Sequence, residues 1–189
     1  MVFVKVVDGK RKTYCLRKEL RERGFSFSSL PEPHWYAEIA DEDFETLKMW
    51  CFRKRLGMIC SKNERSGDYR RRFFEGGQYK ACNDKYFCSY CGRLLSEDKV
   101  CVDHVISVNK AQTSLFYFDL IERLGFESVN DVRNLVPACR RCNARKGAKG
   151  RIWVLKGFVG RFPAFWMVFR SVELVLVAWL LVWLVNTLL

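Results

Sequence analysis

No acidic residue occurs between Asp131 and Glu173, although the same stretch holds Arg133, Arg140, Arg141, Arg145, Lys146, Lys149, Arg151, Lys156, Arg161 and Arg170. A basic run with no counter-charge favours contact with phosphate over a merely solvated face. The stretch MVFVKVVDGK does not read as a secretory leader, because Lys5 and Asp8 break the apolar run before a hydrophobic region can form. The expected compartment is therefore reducing and cytosolic, where cysteine pairs read as metal ligands before they read as disulfides. No internal repeat is present. From Leu174 to Val185 there is no polar side chain at all.

What is there has room for one ordinary domain with attachments, or for two small ones, within 189 residues. The 33 Lys and Arg outnumber the 21 Asp and Glu, giving a formal charge of +12 and pointing to a polyanionic partner, nucleic acid or an acidic membrane surface. Residues 1–60 read as a small α+β unit: a strand in VFVKVV, a helix in TYCLRKELRERG, extended segments around a Pro-rich turn in FSFSSLPEPHWYAEI, and a helix in DEDFETLKMWCFRKRL with acids first and bases last. His34, between Pro33 and Trp35, reads as structural. Residues 61–85 read as a basic linker or DNA-facing loop, with Arg70, Arg71 and Arg72 beside Phe73 and Phe74 able to grip a phosphate backbone.

Two Cys-x-x-Cys pairs, Cys88/Cys91 in FCSYCG and Cys139/Cys142 in ACRRCN, flank the segment 92–138. Two such pairs suit one tetrahedral zinc closed by four thiolates, a structural site. Cys15, Cys51, Cys60, Cys82 and Cys101 read as small buried hydrophobes. Between the pairs, VCVDHVISV alternates as a strand and carries Asp103, a hard oxygen donor, next to His104, a base with an ordinary pKa near neutrality. Neighbouring strand residues point to opposite faces, so both reach one phosphate only where the strand ends or twists. Asn134 precedes the second pair, and Asn143 follows it at the start of a basic helix.

Together CSYCG, VDHVISV and RNLVPACRRCNARKG resemble the HNH endonucleases of the ββα-metal class in their zinc-stapled form, over residues 86–150. The resemblance implies an α+β fold with a ββα-metal core, and a DNA endonuclease that hydrolyses phosphodiester bonds. It implies His104 as general base, Asp103 and Asn143 as ligands of a catalytic Mg²⁺ or Mn²⁺, and Asn134 as the residue that fixes the loop aiming His104. Cys88, Cys91, Cys139 and Cys142 would hold zinc, and Arg140, Arg141, Arg145 and Lys146 would line the DNA backbone. The pattern departs from many relatives in having Ser107 where a Pro stands and NKAQTS where a Gly-Gly stands. The segment AQTSLFYFDLIERLG reads as a helical insertion packed on the core.

Residues 151–189 form a basic flank and an apolar tail. From Ser171 to Leu189 the tail spans roughly 28 Å as a helix at about 1.5 Å per residue, near a bilayer's hydrocarbon thickness. The cationic flank predicts a membrane anchor with the nuclease domain on the cytoplasmic side; the alternative is an oligomerisation helix between subunits. For the whole chain the alternatives to a nuclease are a non-cleaving zinc-stabilised DNA-binding module and a membrane-tethered scaffold.

Overall fold

The computed structural model describes residues 1–81 and 84–188. The first elements are β1 (Val2–Val7), α1 (Arg17–Glu22), β2 (Ser26–Ser28), β3 (His34–Ile39), α2 (Asp41–Arg53) and β4 (Gly57–Ile59). They build a four-stranded antiparallel sheet in the order β2-β3-β1-β4. Alternation along β1 sends Val4 and Val6 inward and Phe3 and Lys5 outward. The inward face, with Trp35 and Met58, packs against Leu16, Leu20, Leu47 and Cys51. Both helices therefore cover one face of the sheet. Asp41, Glu42 and Asp43 in the first turn of α2 and Arg53 in its last complement the helix dipole.

Within segment 61–85, expected as a linker or DNA-facing loop, helix α3 (Tyr69–Glu75) packs against the protein. Phe73 is 1% exposed in the second core, Arg70 donates to the Val100 carbonyl at 2.7 Å, and Arg72 donates to that of Asn130 at 3.4 Å. Two of the three arginines expected to grip DNA thus spend donors on the protein itself. Of the isolated cysteines, Cys51 and Cys60 are buried as expected, whereas Cys15 is exposed on a short 3-10 turn and Cys101 is half-buried. Cys82 lies outside the described residues.

The second half starts with two short hairpins. Strands β5 (Tyr86–Phe87) and β6 (Leu94–Leu95) pair around the first cysteine pair, and β7 (Cys101–His104) pairs antiparallel with β8 (Leu135–Ala138). The long connection between β7 and β8 holds α4 (Val108–Thr113) and α5 (Leu115–Arg123), broken at Ser114. This insertion joins the halves: Phe118 lies in the first core, while Tyr117 and Ile121 form a third cluster with Ile106 and Val129. Lys48 of α2, 4% exposed, ties the same helix by ion pairs to Asp119 at 3.2 Å and Glu122 at 3.8 Å. After β8 come α6 (Arg140–Lys146), α7 (Ile152–Gly160) and α8 (Pro163–Leu188).

Helix α8 is long and apolar enough, by length and composition, to cross a membrane: within Pro163–Thr187 lies an 18-residue stretch of mean hydropathy 2.1, none of it buried. Its first turn is docked. Trp166, 8% exposed, donates from Nε1 to the Gly160 carbonyl at 2.7 Å, and its ring rests on Gly92 so closely that any side chain there would collide.

Candidate active site and metal centre

The cysteine centre is assembled by two tight turns. In the first, Gly92 at φ +66° lets its N–H reach the Cys88 carbonyl at 2.9 Å, folding the chain so that Cys88 and Cys91 face one point. In the second, Cys139 caps α6, its Sγ accepting from the Cys142 N–H at 3.4 Å, and the Cys139 N–H donates to Cys88 Sγ at 3.3 Å. The four sulfurs lie within 4.8 Å of one another, and Cys91 Sγ stands 4.0 Å from Cys139 Sγ. Zinc bound to four thiolates at about 2.3 Å has sulfur–sulfur edges of about 3.8 Å. The four cysteines are positioned to bind a metal such as zinc. Burial holds the Cys88 thiol up at about 12, and burial with the neighbouring sulfurs holds Cys142 above its ordinary value. A dication offsets what burial costs such thiolates.

Beside this centre, β7 and β8 place His104 opposite Leu135 and lead directly into α6. The loop between His104 and Ser107 is fixed by Asn134, which is fully buried. Its Oδ1 accepts from the Ile106 N–H at 2.9 Å, and its Nδ2 donates to the carbonyls of Ile106 at 3.1 Å and Val129 at 2.7 Å. His104 is 7% exposed, with Tyr69 of α3 packed on its ring at 4.7 Å between centroids. His104 Nε2 lies 3.3 Å from Asn130 Oδ1. Asn130 cannot present its amide nitrogen there, because Nδ2 donates to the Glu64 carbonyl at 2.7 Å and Oδ1 accepts from the Ser66 N–H at 3.0 Å. Nε2 therefore carries the proton, and Nδ1 keeps its lone pair. Burial, with Arg65 and Lys146 nearby, lowers the His104 pKa to about 4, so the ring is neutral at pH 7.

A cavity of about 410 Å³ opens at His104, bordered by Asp103, Asn143, Arg65, Tyr69 and Gln112. Asp103 borders it too but makes separate contacts from its strand neighbour. Its carboxylate accepts from Lys146 Nζ, 2.9 Å from Oδ2 and 3.2 Å from Oδ1, and from the Tyr90 hydroxyl. Burial raises the Asp103 pKa, against the pull of Lys146 and Tyr90. Lys146 corrects an expectation: it is fully buried and also donates to the His104 carbonyl at 2.7 Å, so it cannot line a DNA backbone. Its spacing of three from Asn143 puts both on the face of α6 turned toward β7. Arg140, Arg141 and Arg145 lie on the exposed side of the helix, with no carboxylate paired to them among the described residues.

Sequence reasoning missed Asn130, Tyr69, Tyr90 and Arg65. Arg65 donates to the Tyr69 hydroxyl at 2.6 Å and lies over its ring at 4.9 Å, a spacing of four that a helix-and-approach reading of 61–85 offers. Asn130 and Tyr90 have no local signature. As a cation site, Asp103 and Asn143 supply one carboxylate and one carboxamide, but the Lys146 ammonium already neutralises the carboxylate; only Oδ1, which accepts from Lys146 alone, keeps capacity to spare. No protein-family model, curated protein or solved structure matches this chain.

Proposed function

We propose that the chain is a DNA endonuclease of the HNH type, hydrolysing phosphodiester bonds at the cavity beside His104. The observation that carries this reading is the hydrogen bonding of His104 at the cavity: Nε2–H is committed to Asn130, and Nδ1 has no partner among the described residues. That is the form a general base needs to take a proton from water. Arg65 at the rim, with Arg140, Arg141 and Arg145 on α6, provides cations for a phosphate backbone, which favours contact without sequence reading. A Mg²⁺ or Mn²⁺ held by Asn143 and Asp103 would neutralise charge on the phosphate and on the departing oxygen. With Lys146 beside Asp103, such a cation would be held weakly and would depend on its concentration in solution. The zinc-bearing cysteines serve as the clamp that joins the β5–β6 knuckle to the base of α6.

The deciding experiment incubates the full-length chain, purified in detergent, with supercoiled plasmid and Mg²⁺ or Mn²⁺, against the His104→Ala variant. Nicking or linearisation by wild type alone supports the reading. DNA binding with no cutting under any divalent cation would make the chain a zinc-stabilised binding module instead.

In the same reading, α8 spans a membrane and holds the nuclease on the cytoplasmic side. Its unburied apolar surface supports this, as do Lys149, Arg151, Lys156, Arg161 and Arg170 on its N-terminal side.

A further inference from the structure

The N-terminal sheet has a face that no helix among the described residues covers, and its composition is unusual for a face left to water. Both helices of residues 1–60 pack on the side of Val4, Val6 and Trp35. The opposite side presents Phe3 and Lys5 from β1 and His34 and Tyr36 from β3, the two central strands. Phe3 is 47% exposed and Tyr36 36%. Three rings run in a row across the strands: Phe3 to Tyr36 at 6.2 Å and Tyr36 to His34 at 5.8 Å between centroids. The row is held in place. Lys5 sits opposite Tyr36 in the register, its Nζ 5.8 Å from the Phe3 ring and 2.8 Å from Glu64. His34 Nδ1 donates to the Glu32 carbonyl at 2.7 Å, which fixes the ring.

We propose that this face binds single-stranded nucleic acid, with unpaired bases stacking on Phe3 and Tyr36. A four-stranded sheet with helices on one face and exposed rings on the central strands of the other presents flat apolar platforms one base apart. Stacking on a ring tolerates any base, so the site takes a single strand without reading its sequence. The charge layout fits a phosphate backbone. Lys10 and Arg11 are exposed just past the end of β1, beyond His34, while Glu38 stands opposite Phe3 at the other end and Glu64 is neutralised by Lys5. A cavity of about 290 Å³ beside Phe3 and Lys5, closed by Ile59 and Glu64, gives a base edge room to enter. The proposal rests on residues other than those lining the His104 cavity and does not depend on the nuclease reading.

Fluorescence anisotropy with the full, zinc-loaded chain in detergent, with no Mg²⁺ or Mn²⁺ added so that no cutting occurs, tests this with labelled oligothymidylate, oligouridylate and a duplex of equal length. Wild type should bind a single strand more tightly than Phe3→Ala/Tyr36→Ala by roughly 100-fold, about tenfold for each ring lost. Tyr36→Phe should keep the affinity, and duplex binding should be the same in all three proteins. The tighter of the two single strands names the source as DNA or RNA. Ultraviolet crosslinking of an iodouridine-bearing oligonucleotide to wild type, a measurement that needs no variant to fold, should place the adduct on the peptide containing Tyr36. Equal single-strand affinity in wild type and the double variant, or adducts only outside residues 1–60, would overturn the proposal.

Discussion

Lys146 Nζ lies 2.9 Å from Asp103 Oδ2, with the lysine side chain wholly shielded from solvent and the aspartate side chain 11% exposed. The lysine has no water to fall back on and the aspartate little, so each depends on the other and on the bonds from Tyr90 and to the His104 carbonyl. Removing one partner leaves an uncompensated charge. Lys146→Met should therefore destabilise the fold by about 3–5 kcal/mol. Adding Asp103→Leu to that variant should recover much of the loss. Chemical denaturation of the two variants and wild type gives the coupling; equal stability of Lys146→Met and wild type would show that the pair is not formed in solution.

The depressed pKa of His104 fixes two pH responses. The folded ring protonates near 4 while an unfolded histidine does so near 6.5, so the unfolded chain binds the proton first as pH falls. Stability should be complete above about pH 6.5, should fall down to about pH 4, and should level off below that as far as this group is concerned. His104→Gln should show a flatter slope over the same window in denaturant midpoints. If His104 is the base of the proposed cleavage, the rate should show no histidine-type fall on passing from pH 8 to 6. A fall centred near 6.5 would mean that the ring is solvated.

Metal analysis of the purified chain should find one zinc, retained in Asn143→Ala and His104→Gln and lost in Cys139→Ser. Loss of zinc should be accompanied by loss of near-ultraviolet signal from Tyr90 and Trp166, since both pack against the cysteine centre. A wild-type chain without zinc would remove the four-cysteine site.

Lys48 is a buried link between α2 and α5, and its pKa is raised because the bonds it donates to Glu45 and Asp119 outweigh the cost of burial. Lys48→Met should cost on the order of 1–3 kcal/mol and should make the N-terminal sheet unfold earlier than the cysteine-bearing half. Differential hydrogen exchange of β1 and β7 would detect that separation; an unchanged, single transition would count against the link.

For α8, full-length protein should resist carbonate extraction from membranes. A chain ending at Arg170 keeps Trp166 on Gly92 and should be soluble and active. A chain ending at Phe162 strips the ring away and should be soluble but unstable. Full-length protein that is soluble and oligomeric without detergent would make α8 a subunit interface.

Much of this was written locally in the chain. The alternation of VFVKVV, the acids and Arg53 at opposite ends of α2, and the two cysteine pairs are each short-range patterns, and each element formed where its pattern lay. Helix α3 was hidden because composition misled: its arginines suggest solvent, while Tyr69 and Phe73, four apart, are the buried stripe. Lys146 was misread for a similar reason, since lysine is almost never fully buried unless paired, and the partner Asp103 is distant in sequence. Asn130 meets His104 only through the fold of the β7–β8 connection, and no pattern around residue 130 announces it. The pairing of β1 between β3 and β4 is equally non-local.

Trp166 leaves no slack between the metal centre and the apolar helix. On the proposed reading, a nuclease on a flexible tether would sweep a volume and could meet substrate at any angle, whereas a helix seated on Gly92 and Gly160 would give its domain a fixed bearing. Whatever grips α8 also sets the height and heading of the cavity at His104. The reach of that cavity is then a thin shell beside the gripping surface, and only substrate brought into that shell is within range.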